Sequence, residues 1–263
     1  MLARNILSII CLLLLNNTVV AQENRSEIQI GEFELSSTSK VILGEETAKL
    51  YENILAVDKE VKWNIFVPEY YDPNSPSGVI IYFSDHYPNQ IQSSWKTGTR
   101  EKNLIWISPI GARYFTEKRK MILGILSLSV LQDKYSIDPT RIYVTGDRSG
   151  CQTSSNIAVL YPNIISGAIY NSCEPKTWKK TTKPATLDIM ANNHYVFINS
   201  NINKNRTDIR RAMNKYNNEG INNTLIKTIG TIEKDIKLNS RQVIDLITFI
   251  DNSKIRLLLR SPS

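Results

Sequence analysis

Arg148 and Ser149 stand side by side in TGDRSGC, residues 145–151, where an apolar run gives way to two glycines that bracket two charged residues and a serine. Glycines at that spacing leave the backbone between them free to turn tightly. Arg148 holds the middle. Its guanidinium has five donors and no acceptor, so it can clamp a carboxylate, sulfate or phosphate but cannot attack an acyl carbon. Ser149 carries a hydroxyl that attacks only if a neighbouring base takes its proton. Two histidines, His86 and His194, are present to act as that base near neutral pH. Asp85 precedes His86 and Asp147 precedes Arg148, which leaves two competing sets. Arg148 with Asp147 would line an anion-binding cleft, whereas Ser149 with His86 and Asp85 would form a rearranged hydrolytic site. Each of these residues also has a plainer role in a loop, and Arg148 can fold back on Asp147 or Asp85 and plug the cleft. His194 opens an apolar run and reads as a strand residue.

Positioning such a site requires strands that end together at one edge. The runs GVIIYF at 78–83 and LIWIS at 104–108 have no polar break, as expected of strands covered on both faces. Residues 120–135 carry apolar positions at helical spacing, and a turn is expected at 137–139. RIYVTG at 141–146, a helix from 149 to 160, IISGAIYN at 164–171 and HYVFIN at 194–199 continue the alternation. A helix at 207–219, a strand at 223–229 and a helix at 240–251 close the chain. Segments 27–35 and 60–68 read as antiparallel edge strands. Alternating strands and helices predict an α/β architecture, a central mostly parallel sheet flanked by helices.

The 263 residues are 41% hydrophobic and 22% charged, which excludes a disordered or fibrous chain. The net charge of +7 is spread along the sequence without a nucleic-acid-binding motif, so no specific nucleic-acid partner is expected. Arg4, the apolar run at 6–15 and the small-residue exit at 19–21 have the layout of a signal peptide over 1–21 and are too short for a membrane span. The expected product is a secreted or periplasmic protein, a single domain over 22–263 with no transmembrane span. In an oxidising compartment Cys151 and Cys173 allow one disulfide, although both are also ordinary buried residues. No histidine or cysteine cluster has metal-ligand spacing, so neither a metal nor another cofactor is expected. Trp178, in the turn-rich CEPKTWKKTTKP at 173–184, is a candidate for stacking on a sugar.

The stretch RIYVTGDRSGCQTSSNIAVLYPNIISGAIYNSC, at 141–173, resembles the nucleophile-elbow region of secreted α/β-hydrolases of the esterase type. That group includes feruloyl esterases, acetyl xylan esterases and polyhydroxybutyrate depolymerases. DPTRIYVTG at 138–146 and the pair Tyr161–Pro162 match its pattern. The resemblance implies an α/β-hydrolase fold with a Ser-His-acid triad on a G-x-S-x-G turn. Gly146 and Gly150 take the two glycine positions, but Arg148 stands where the serine belongs. Asn203 falls at the acid position, and GTIEKD at 230–235 contains no histidine where the last triad member belongs. Phe83 and Ser84 replace the His-Gly pair that the group carries after its third strand. The resemblance therefore implies an esterase-like scaffold with a degenerate triad. Its cleft is expected to take an anionic small molecule or a carbohydrate-derived ligand, and the alternative is an active esterase with a non-standard site.

Overall fold

The computed structural model describes residues 28–84, 90–178, 182–200, 206–230 and 236–252. Eight strands form one sheet: β1 (Gly31–Thr38), β2 (Glu60–Val67), β3 (Ser77–Phe83), β4 (Leu104–Pro109), β5 (Ile137–Asp147), β6 (Gly167–Asn171), β7 (His194–Ser200) and β8 (Thr224–Ile229). Their spatial order is β1-β2-β4-β3-β5-β6-β7-β8. β2 runs antiparallel to β1 and β4, and every pairing from β4 to β8 is parallel. The sheet is thus α/β and mostly parallel. β2 differs from its expected edge position, because β1 covers its outer side along eight residue pairs.

The unbroken apolar runs follow from helices on both faces. Val79, Ile81 and Phe83 of β3 point into one core with Leu123, Leu126 and Ile157. Ile80 and Tyr82 point into the other, with Trp95, Val243 and Ile247. The first core lies under α4 (Glu117–Gln132), α5 (Arg148–Leu160), α6 (Pro184–Ala191) and α7 (Arg206–Asn218), and the second under α3 (Ser93–Glu101) and α8 (Ser240–Ile250). The short helices α1 (Ser39–Leu43) and α2 (Glu45–Lys49) follow β1. No helix among the described residues is long and apolar enough to cross a membrane.

β5 begins at Ile137, so the expected turn at 137–139 is instead the first part of a strand. Ser77 pairs with Ile137 and the register with β3 shifts before Val79 meets Ile142, which absorbs Pro139 at an irregularity. At the other end β5 runs directly into α5, so any side chain at their junction sits at the centre of the sheet's carboxyl edge.

Candidate functional site

The junction is a tight elbow. A Cβ on Gly146 would lie 2.6 Å from the Phe83 carbonyl oxygen, and one on Gly150 would collide with the same oxygen, so β3 and α5 approach each other only because both residues are glycine. Between them Arg148 is exposed and has φ +48°, in the left-handed region. A non-glycine residue in that region costs about 1–2 kcal/mol. Asp147 is the N-cap of α5 in extended geometry, and its side chain makes no capping bond to the helix.

Polar groups from three elements converge on the elbow. The hydroxyls of Tyr82 and Ser84 each stand 3.5 Å from Asp147 Oδ2, at the outer limit of a hydrogen bond. Burial pushes the Tyr82 hydroxyl well above its ordinary pKa, and the adjacent Asp147 charge adds to the shift. Tyr82 therefore stays neutral and keeps its proton. Lys120 Nζ, on α4, donates to Ser149 Oγ at 3.1 Å. Lys120 is itself buried. Glu117, one turn earlier on α4, accepts from Thr153 Oγ1 at 2.9 Å and Asn156 Nδ2 at 2.8 Å, which clamps α4 to α5. On the other side a disulfide joins Cys151, in the first turn of α5, to Cys173 beyond β6, with 6.1 Å between their Cα atoms.

The other expected site residues are placed differently. Asp85, His86 and Asn203 lie outside the described residues, as do 231–235, where the late histidine position falls. His194 is buried at the start of β7 against Phe249, and pairs with Gly167 at the amino edge of the sheet. Four residue layers, about 13 Å, separate that edge from the Asp147 layer. Trp178 is a correction. Only 6% exposed, it packs edge-on against Tyr216 with 4.9 Å between ring centroids, and Lys215 Nζ stands 4.9 Å from its ring. At that burial the ring packs inside the protein against α7 rather than standing out as a sugar platform.

Lys120 is the site residue that sequence reasoning missed. Its signal was a cation on the stripe 120, 123, 127, the face of α4 that is otherwise buried. Asn199 at the end of β7 is a second. It is fully buried, and among the described residues neither polar atom of its side chain has a hydrogen-bond partner. No group of three or more His, Cys, Asp or Glu among the described residues could hold a metal ion.

No protein-family model and no curated protein matches the sequence. Solved structures do match. A thermostable esterase superposes with a TM-score of 0.54 at 11% identity over 87% of this chain, which spans 62% of that esterase. The S-formylglutathione hydrolase of Staphylococcus aureus gives 0.57 at 9% identity, covering 87% of this chain and 99% of the hydrolase. A feruloyl esterase module from Clostridium thermocellum, complexed with sinapinate, gives 0.52 at 10% identity over 86% of this chain and 88% of the module. This chain has the α/β-hydrolase fold. Identities near 10% establish the scaffold and leave the chemistry to the residues themselves. In an α/β-hydrolase the centre of the strand-to-helix elbow carries the nucleophile. Here the strained backbone is kept and its side chain is an arginine.

Proposed function

We propose that this chain is a non-hydrolytic α/β-hydrolase-like protein that uses the elbow to bind an anionic ligand. The observation that carries the reading is Arg148, exposed and left-handed between two glycines that the Phe83 carbonyl leaves no room to replace. An arginine there has no attacking atom, but its fork matches carboxylate, sulfate and phosphate, and the amino end of α5 favours the same charge. Ser149 lies one residue past the centre of the turn, and Lys120 donates to its oxygen. Asn203 at the acid position and the lack of a histidine after His194 in the sequence support the same reading. An acidic small molecule or a carbohydrate-derived acid is the ligand class. The leader-like segment at 1–21 and the Cys151–Cys173 disulfide support export of a single domain over 22–263 to a secreted or periplasmic destination.

The test is calorimetric titration of the mature chain with benzoate, sulfate and inorganic phosphate. At least one should bind, and Arg148→Ala should weaken it roughly tenfold or more, as expected when a charge-assisted bond is removed. Equal binding by wild type and variant contradicts the reading.

The second reading is an active esterase built on Ser149 with His86 and Asp85. The observation favouring it is the 3.1 Å approach of the buried Lys120 amine to Ser149 Oγ, which gives the hydroxyl a polar neighbour. Hydrolysis of short acyl esters that disappears in Ser149→Ala and His86→Ala would establish it.

A further inference from the structure

Away from the elbow, an open groove of about 450 Å³ runs along the outer face of α7. Arg210, Arg211, Lys215, Asn214 and Asn218 line it, and Glu219 is the one carboxylate among the described lining residues. The core does not require this composition. α7 is anchored by Ile209, Ala212 and Tyr216 on its inner face, leaving the outer face open to any soluble residue.

The charges chosen work against the helix. Arg206 and Arg210 are four residues apart, as are Arg211 and Lys215, and like charges at that spacing repel. Arg206 also stands at the amino end, where the helix dipole favours acids. Asp208 relieves one of the four cations through a 2.8 Å bond from Arg211 Nη1. Lys215 is fixed without being neutralised. Its ammonium donates to Thr177 Oγ1 at 3.0 Å and to the Trp178 carbonyl at 2.8 Å above the Trp178 ring, all uncharged groups. Two of its three N–H donors are thereby used and the charge is held in place beside the groove.

A groove lined by three cations, of which Arg210 and Lys215 have no ion pair among the described residues, at a cost to its own helix, fits an anionic occupant. Its described lining residues offer no apolar side chain to enter a lipid surface and no aromatic face for a nucleic-acid base. It offers guanidinium groups beside carboxamides, which suit acidic groups interspersed with hydroxyls. We propose that this face of α7 binds an acidic polysaccharide, its carboxylates or sulfates pairing with Arg210, Arg211 and Lys215 and its hydroxyls bonding Asn214 and Asn218.

The test compares binding of polygalacturonate, dextran sulfate, uncharged dextran, phosphatidylglycerol vesicles and a single-stranded oligonucleotide to the mature chain at low salt. Polygalacturonate or dextran sulfate should bind and uncharged dextran should not, which also tells carboxylate from sulfate preference. Arg210→Gln with Arg211→Gln should weaken that binding about tenfold, with a shallower salt dependence. Removing the same charge from exposed positions elsewhere, Lys59→Gln with Arg241→Gln, should change it less than about twofold. Arg148→Ala should leave it unaltered, which separates this surface from the elbow. Equal loss in the charge-matched control, loss in Arg148→Ala, or binding of vesicles or oligonucleotide in place of both acidic polysaccharides would overturn the proposal.

Discussion

Two arginines flank the parallel part of β5, Arg141 within the strand and Arg148 just past its end, and they differ in burial and in backbone conformation. At the amino end Arg141 is paired in full. Its guanidinium grips Asp251 by two bonds of 2.8 and 2.7 Å, a third of 2.6 Å reaches the Lys102 carbonyl, and Tyr143 donates to the same aspartate at 2.6 Å. Burial alone would lower the Arg141 pKa, but the Asp251 carboxylate outweighs it and the net shift is upward. At the carboxyl end Arg148 is exposed on a strained backbone beside Asp147, whose Oδ2 has the Tyr82 and Ser84 hydroxyls 3.5 Å away. One end spends an arginine on locking the last helix to the sheet. The other exposes one at the carboxyl edge of the sheet on a left-handed backbone, and strain of that kind is a pointer to function.

The largest effects should come from the locked end. Asp251→Asn leaves Arg141 partly buried against a neutral amide, and urea denaturation should show a loss of about 3 kcal/mol with anion binding at Arg148 unchanged. If binding fell as well, the two ends would be coupled. Replacing Cys151 and Cys173 by serine should cost a similar amount, about 3 kcal/mol for a loop of this length, but here anion binding should weaken too, because Cys151 lies one turn from Arg148.

Arg148→Gly against Arg148→Ala isolates the strain. Both remove the guanidinium, whereas only glycine suits φ +48°, so the glycine variant should be the more stable by about 1 kcal/mol in the same assay. No difference would mean that the elbow relaxes without its arginine. The smallest effect lies outside both ends, at Glu32 of β1. Burial raises its carboxyl, but bonds from Lys96, at 2.7 Å, and Asn64 outweigh that and hold it below its ordinary 4.5. A lowered carboxyl stabilises the fold above its unfolded value, and that contribution is lost as the pH falls through the folded one. Lys96→Met should therefore flatten the acid side of the stability profile by less than about 1 kcal/mol, since the pair is partly solvated.

Much of the scaffold was legible because its signals are local. The unbroken runs at 78–83 and 104–108 are strands between two helix layers, and the glycines at 146 and 150 mark the elbow. Other elements depend on tertiary contact. α3, SSWKTGTRE, contains few strong helix formers, and it is held by Trp95 and Gly98 lying against Val243 and Ile247 of α8. α6 did carry a start signal, Pro184 in its first turn, hidden by the lysine-rich stretch before it. The expected turn at Pro139 failed because a parallel strand tolerates proline where its register slips. Within the site, Arg148 could be placed through the resemblance of 141–173 to an esterase elbow, with Gly146 and Gly150 as its landmarks. The Lys120–Ser149 contact and the inward fold of Trp178 could not, since each joins segments distant in sequence through helix packing that no local pattern encodes.

In the function proposed above, Arg148 stands in place of a nucleophile and no neighbour takes over its chemistry. That function is tested most directly by treating the mature chain with a fluorophosphonate probe, reading labelling by intact mass and hydrolysis of p-nitrophenyl acetate on the same sample. A non-hydrolytic elbow gives no covalent adduct and no turnover above a denatured control. Stoichiometric labelling of Ser149, with turnover abolished by Ser149→Ala, would contradict it.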